Sequence, residues 1–137
     1  MRVWDIPVQL LCWVHLNGQH REIHGIVGSI KNYYNKGSKG YSNHPETKRW
    51  IGHEDILLNM HELTANEMLK RGRNHRSPIE KFDYVKCDNS LIMVDSIEDQ
   101  IQNIFVKSED PNHGCNCNVA LINHWFIKNY GVSHVKV

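Results

Sequence analysis

Glu22 stands in the stretch His15-Leu16-Asn17-Gly18-Gln19-His20-Arg21-Glu22-Ile23-His24, which is dense in groups that can move or stabilise charge. A carboxylate can take a proton and offset developing positive charge. An arginine can orient that carboxylate or hold a phosphate, and an imidazole can serve either purpose near neutral pH. Val8, Leu11, His15, Gly18 and Glu22 recur three and four residues apart, which is one stripe of a helix. Such a stripe ordinarily carries Leu, Ile, Val and Ala, because a carboxylate turned inward is costly unless it is paired or needed. A conflict of this kind is expected at a functional site. The plainer reading, Glu22 paired with Arg21 on a solvated helix face, stands beside it.

Metal chemistry fits the sequence less well. His20 and His24 share a helix face, but Glu22 lies about 200° round the helix from His20. That is not the H-E-x-x-H arrangement of zinc proteases, and no third ligand is evident nearby. Cys115-x-Cys117, with His113 and His124, is the other candidate. Structural zinc usually wants about two to four residues between paired cysteines, so C-x-C with scattered histidines matches poorly and no metal is assigned. Cys12, Cys87, Cys115 and Cys117 lack the spacing of a secreted disulfide framework and are expected to be free thiols.

The elements that must position these groups are mostly helical. Ile6 precedes a proline and should be extended, while Pro7 suits the first turn of a helix running to about residue 35. Residues 36–52, with Gly37, Gly40, Pro45 and Gly52, read as a long loop of the kind that tends to be functional. It offers Lys36, Lys39, His44, Lys48 and Arg49 to phosphate and Trp50 to a base, or Trp50 packs inward. A second helix fits 53–71, with Ile56, Leu57, Met60, Leu63, Thr64 and Met68 as its core face and Gly72 as its stop. Residues 79–95 are mixed, with room for a short strand or extended segment at 91–94. Ser96 caps a third helix over 96–108, where Ile97, Ile101, Ile104 and Phe105 share a face. A last helix fits 118–130, closed by Gly131, with Trp125, Phe126 and Tyr130 read as core. The fold class is thus mostly α: a compact single domain over 1–137, with three to four helices joined by long connecting loops.

Composition is that of an ordinary globular protein, 40% hydrophobic and 23% charged. No apolar run is long enough to span a membrane and no signal peptide is present, so an intracellular protein is expected. Net charge is only +1, yet residues 1–90 hold 13 Lys/Arg against 10 Asp/Glu, and residues 91–137 hold 3 against 5. The cations cluster at 31–49 and 70–76, a basic surface suited to phosphate.

Three segments carry a family resemblance. His15-Leu16 followed by Arg21-Glu22 resembles the active-site helix of the pyrimidine-dimer DNA glycosylases, the phage-type "endonuclease V" of ultraviolet repair. Met68-Leu69-Lys70-Arg71-Gly72-Arg73-Asn74 is similar to the L-K-R-G-x-N end of that family's second helix. Trp125-Phe126-Ile127-Lys128-Asn129-Tyr130-Gly131 is similar to its aromatic, lysine-containing C-terminal segment. The opening Met1-Arg2-Val3-Trp4-Asp5-Ile6-Pro7, and the run Gly40-Tyr41-Ser42-Asn43-His44-Pro45-Glu46-Thr47-Lys48-Arg49-Trp50, look like the cellular branch. Together these anchors span nearly the whole chain.

The resemblance implies a DNA glycosylase with abasic-site lyase activity on ultraviolet pyrimidine dimers, acting as a monomer on double-stranded DNA that contains damaged pyrimidines. An amine attacks C1′ of the damaged nucleotide, and Glu22 is the carboxylate beside it. Arg2, Arg21 and His15 orient Glu22 or hold flanking phosphates. Where the family has a further arginine this chain has Gly25, so that contact is either missing or supplied from elsewhere, with His24 as the candidate. Arg49, Arg71, Arg73 and Arg76 are expected on the DNA backbone. In the phage enzymes the initiator methionine is removed and a threonine α-amine attacks. Here Arg2 is too large for usual removal, so Met1 is expected to stay and supply the amine, 21 positions before Glu22. The chemistry requires no cofactor, and no membrane partner is expected. The rival readings are a non-catalytic nucleic-acid-binding protein of the same fold, a glycosylase for another damaged or modified base, and a metal-dependent hydrolase or nuclease using the histidines.

Overall fold

The computed structural model describes residues 3–36, 44–73, 78–79, 84 and 91–135. These form a short 3-10 turn at Val8–Leu10 and five α-helices: α1 (Trp13–Lys36), α2 (Pro45–Lys48), α3 (Glu54–Lys70), α4 (Ile97–Glu109) and α5 (Val119–Tyr130). No strand occurs among the described residues, so the mostly α expectation holds and 91–94 is irregular rather than β. None of the described helices is long and apolar enough to cross a membrane. The chain packs as two units: Met1–Val3 with Gly18–Val94, and Trp4–Asn17 with Asp95–Val137.

In the first unit, Val3, Ile23, Ile26, Val27, Ile30, Trp50 and Leu57 form the core, flanked by Tyr34, Ile51, Met60, Ile79 and Leu91. Burying a large side chain contributes about 1.5–3 kcal/mol, so this cluster holds α1 and α3 together. The same two helices also share a buried polar contact: Gln19 donates from Nε2 to Thr64 Oγ1 at 3.0 Å. The buried face of α3 is turned relative to the apolar arc read from sequence. Leu57, Thr64 and Met68 are buried as expected, joined by Glu54, His61 and Ala65, while Ile56 and Leu63 are exposed. Glu54 accepts from Tyr34 Oη at 2.8 Å and from the Gly52 amide at 3.0 Å, which anchors the helix start. At its other end Gly72 has φ +76°, its N–H bonds Leu69 O, and Arg73 N–H bonds Met68 O. That paired pattern, with glycine at the left-handed position, stops the helix where the sequence suggested.

In the second unit, α4 and α5 pack on each other. Ser96 accepts from the Asp99 amide and Asn118 from the Leu121 amide, both at 3.1 Å, capping α4 and α5. Ile97, Ile101 and Ile104 are buried as expected. Of the aromatic trio assigned to the α5 core, Phe126 is buried, Trp125 half-buried and Tyr130 exposed. Gln100 Nε2 donates to Asp5 Oδ2 and the Asp5 amide donates back to Gln100 Oε1, fixing the N-terminal segment of this unit on α4. The helix expected from Pro7 is broken. Leu11 is extended (φ −81°, ψ 137°), and the Cys12 amide donates to Cys117 Sγ at 3.2 Å instead of to a helical carbonyl.

Candidate functional site

From Gly18 onward the buried ridge of α1 runs Gln19, Ile23, Ile26, Val27 and Ile30. Glu22 is therefore half-buried at the edge of that ridge rather than on the inward stripe, and Arg21 is exposed beside it. Gly18 and Gly25 sit about one turn on either side of Glu22. A Cβ built on either would meet no atom within 4 Å.

Val3 packs in the same core cluster as Ile23, the residue after Glu22. Its amide donates to Glu46 Oε1 at 3.1 Å, and its carbonyl accepts from Arg49 Nη2 at 3.2 Å. Glu46 Oε1 also accepts from Arg49 Nε at 3.1 Å and Trp50 Nε1 at 3.3 Å. The third Arg49 nitrogen, Nη1, donates to the Ile92 carbonyl. This corrects the expectation for Arg49. Its side chain is 1% exposed, and its fork is spent on a carboxylate and two backbone carbonyls, so it braces the N-terminal segment and does not face DNA phosphate. Trp50, 1% exposed, belongs to the core rather than to a base-stacking surface.

His24, expected on DNA, lies with His20 and with His61 of α3. His20 and His24 approach at Nε2···Nε2 3.2 Å, and the His61 ring centroid is 5.2 Å and 5.0 Å from theirs. His61 is fully buried and its Nδ1 is 3.2 Å from Glu62 Oε1. The third imidazole that the sequence did not reveal is thus supplied from a helix 37 residues on from His24. One ligand atom from each residue of this trio lies within 4.8 Å of the others, close enough to hold an ion.

The second unit holds a different group, Cys12, His15, Cys115 and Cys117, whose ligand atoms are also mutually within 4.8 Å. His15, expected to orient Glu22 or hold a phosphate, is 5% exposed. Its Nδ1 points among the sulfurs, 3.3 Å from Cys117 Sγ and 3.6 Å from those of Cys12 and Cys115. Burial removes it from phosphate. Its Nε2 is buried with no hydrogen-bond partner among the described residues. The three thiols are free, as expected, and they act on one another. Hydrogen bonds from Cys117, with help from His15, hold the Cys12 thiol well below its ordinary value. Donating to Cys12 pushes Cys117 up, and burial pushes Cys115 up.

Among the cations expected on DNA, Arg71 is partly exposed and pairs with Glu67 at 3.0 Å, while Arg73 is exposed just beyond α3. Met1, Arg2 and Arg76 lie outside the described residues. Sequence reasoning missed Glu46, whose only local signal was its place four residues before a tryptophan. It also missed Gln19 and His61, polar residues whose burial depends on contacts far along the chain. Residues 1–81 match the family model described as pyrimidine dimer DNA glycosylase. No curated protein and no solved structure matches the chain.

Proposed function

This chain belongs to the pyrimidine dimer DNA glycosylase family, and from that premise we propose that it removes ultraviolet-damaged pyrimidines and cuts the resulting abasic strand, with the Met1 α-amine as nucleophile and Glu22 as the carboxylate. The neutral amine attacks C1′ and the bond from C1′ to the pyrimidine nitrogen breaks, its electron pair leaving with the base, which takes up a proton. Opening of the sugar ring then gives an iminium between the amine and C1′. Loss of a C2′ proton drives departure of the 3′-phosphate, and water returns the amine. Glu22 stabilises the positive charge on the sugar and receives the C2′ proton. An α-amine suits the task because its ordinary pKa, about 7.7–8.0, leaves much of it neutral near physiological pH.

The observation that carries this reading is the bracing of Val3. It shares a packed core with Ile23 beside Glu22, and Glu46 and Arg49 hold both its backbone polar groups. Met1 stands two positions before Val3 in the chain, and its amine is taken as the group that this bracing serves. On the DNA side, exposed Arg21 and Arg73, with Arg71, offer cations to the flanking phosphates.

Borohydride reduction of the imine on dimer-containing duplex tests this. The native protein should become covalently trapped. N-terminal sequencing should begin Met-Arg-Val, and a retained N-terminal tag or acetyl group should eliminate trapping. Glu22→Gln should lose strand cleavage while keeping duplex affinity and thermal transition. Trapping by a tagged form as efficient as the native one assigns the nucleophile to a lysine, and full activity of Glu22→Gln removes the carboxylate's role.

A further inference from the structure

We propose that Cys12, His15, Cys115 and Cys117 form a closed zinc site that staples the start of α1 to the segment before α5 within the second unit. The distances are those of a coordination tetrahedron. Zinc–sulfur bonds of about 2.3 Å and zinc–nitrogen bonds of about 2.0–2.1 Å give tetrahedral edges of about 3.8 Å between sulfurs and about 3.6 Å between sulfur and nitrogen. Here Cys12 Sγ and Cys115 Sγ are 3.9 Å apart. His15 Nδ1 stands 3.6, 3.6 and 3.3 Å from the sulfurs of Cys12, Cys115 and Cys117. Van der Waals packing of three thiols and a ring has no reason to place all four donor atoms at one centre.

The donor chemistry selects the ion. Three thiolates and one neutral imidazole are soft to borderline ligands, which favour zinc over magnesium or calcium. Four protein ligands leave no open position, so the site is structural and carries no substrate water. None of the four residues is more than 9% exposed. The Cys12 amide donates to Cys117 Sγ at 3.2 Å, the kind of outer hydrogen bond that supports a bound thiolate. Binding expels the thiol protons to solvent, with no change in oxidation state. The break at Leu11 becomes intelligible: it frees the Cys12 amide and sets Cys12 and His15 one turn apart at the mouth of α1. Gly114, in the left-handed region at φ +74°, turns the chain just before Cys115.

The site is independent of the glycosylase reading, since Cys115 and Cys117 lie beyond the residues matched by the family model. X-ray absorption on the unmodified, zinc-loaded chain reads the ligands directly. Three sulfurs near 2.3 Å and one nitrogen near 2.0–2.1 Å are expected, with a single thiolate-bound zinc per chain. Replacing zinc by cobalt should produce the thiolate-to-cobalt charge-transfer absorption. Cys115→Ser combined with Cys117→Ser should abolish it, while His15→Cys should keep it as a four-sulfur site. A zinc environment of nitrogens alone, as the trio of His20, His24 and His61 would give, overturns the proposal. So does failure of the reduced, metal-stripped chain to take up zinc, or a cobalt band that survives the double substitution.

Discussion

Replacing Glu46 with Ala removes one oxygen that serves the Val3 amide, the Arg49 guanidinium and the Trp50 indole together. The charge left behind matters more than the hydrogen bonds lost. Arg49 would keep a cation 1% exposed, and stranding one partner of a buried pair costs about 3–5 kcal/mol. Against a total stability of about 5–15 kcal/mol, that consumes a large share. For a chain of 137 residues the melting point should fall on the order of 10–20 °C. Glu46→Gln, which keeps an acceptor but not the charge, should lose less, about 1–3 kcal/mol. Replacing both Glu46 and Arg49 with Met should cost less than the two single changes added together, because no charge is then stranded. Urea unfolding followed by far-ultraviolet circular dichroism and by tryptophan fluorescence measures these variants and the two single Met changes. Imine trapping by Glu46→Gln, at a temperature where it is folded, should fall more than its duplex affinity, because Val3 is held less firmly. A Glu46→Ala cost under about 1 kcal/mol, in the range of exposed ion pairs, would refute the bracing role.

Arg71→Ala with Arg73→Ala should weaken binding to damaged and undamaged duplex alike and reduce the salt slope by about 2, near 0.9 per phosphate contact. An unchanged slope removes both from the interface. Ser96→Ala should destabilise α4 by about 0.5–2 kcal/mol in urea unfolding, with Ser96→Asp restoring most of it, and no change in either variant would mean that the cap at 3.1 Å contributes nothing.

What was legible in the sequence was local. The cap at Ser96, the isoleucines of α4, the glycine stop at Gly72 and the end of α5 at Gly131 each depend on residues within a few positions, and each was found. What was not legible depends on distant partners. Arg49 looks like a phosphate donor until the Val3 carbonyl, 46 residues away, is placed against it. Cys12 and His15 meet cysteines about a hundred residues later, a juxtaposition that the spacing of C-x-C alone does not reveal. His61, inside a polar run of α3, is fully buried because two imidazoles of α1 face it. Glu22 kept its place in the argument but not its orientation, since the buried ridge passes beside it through Gln19 and Ile23.

The glycines of α1 have a cost and a use. Gly18, Gly25 and Gly28 each have room for a methyl group, with no atom within 4 Å of the added carbon. Each lowers helix stability by roughly 0.5–1 kcal/mol relative to alanine, so α1 is left about 1.5–3 kcal/mol below what the same packing would allow. Along the helix surface Gly18 and Gly25 bracket Glu22, and the carboxylate stands on a bare shoulder where bulky side chains would otherwise crowd it. Alanine at these positions should therefore yield a sturdier protein: helix stability has been given up along this side of α1 where the packing would accept a methyl group.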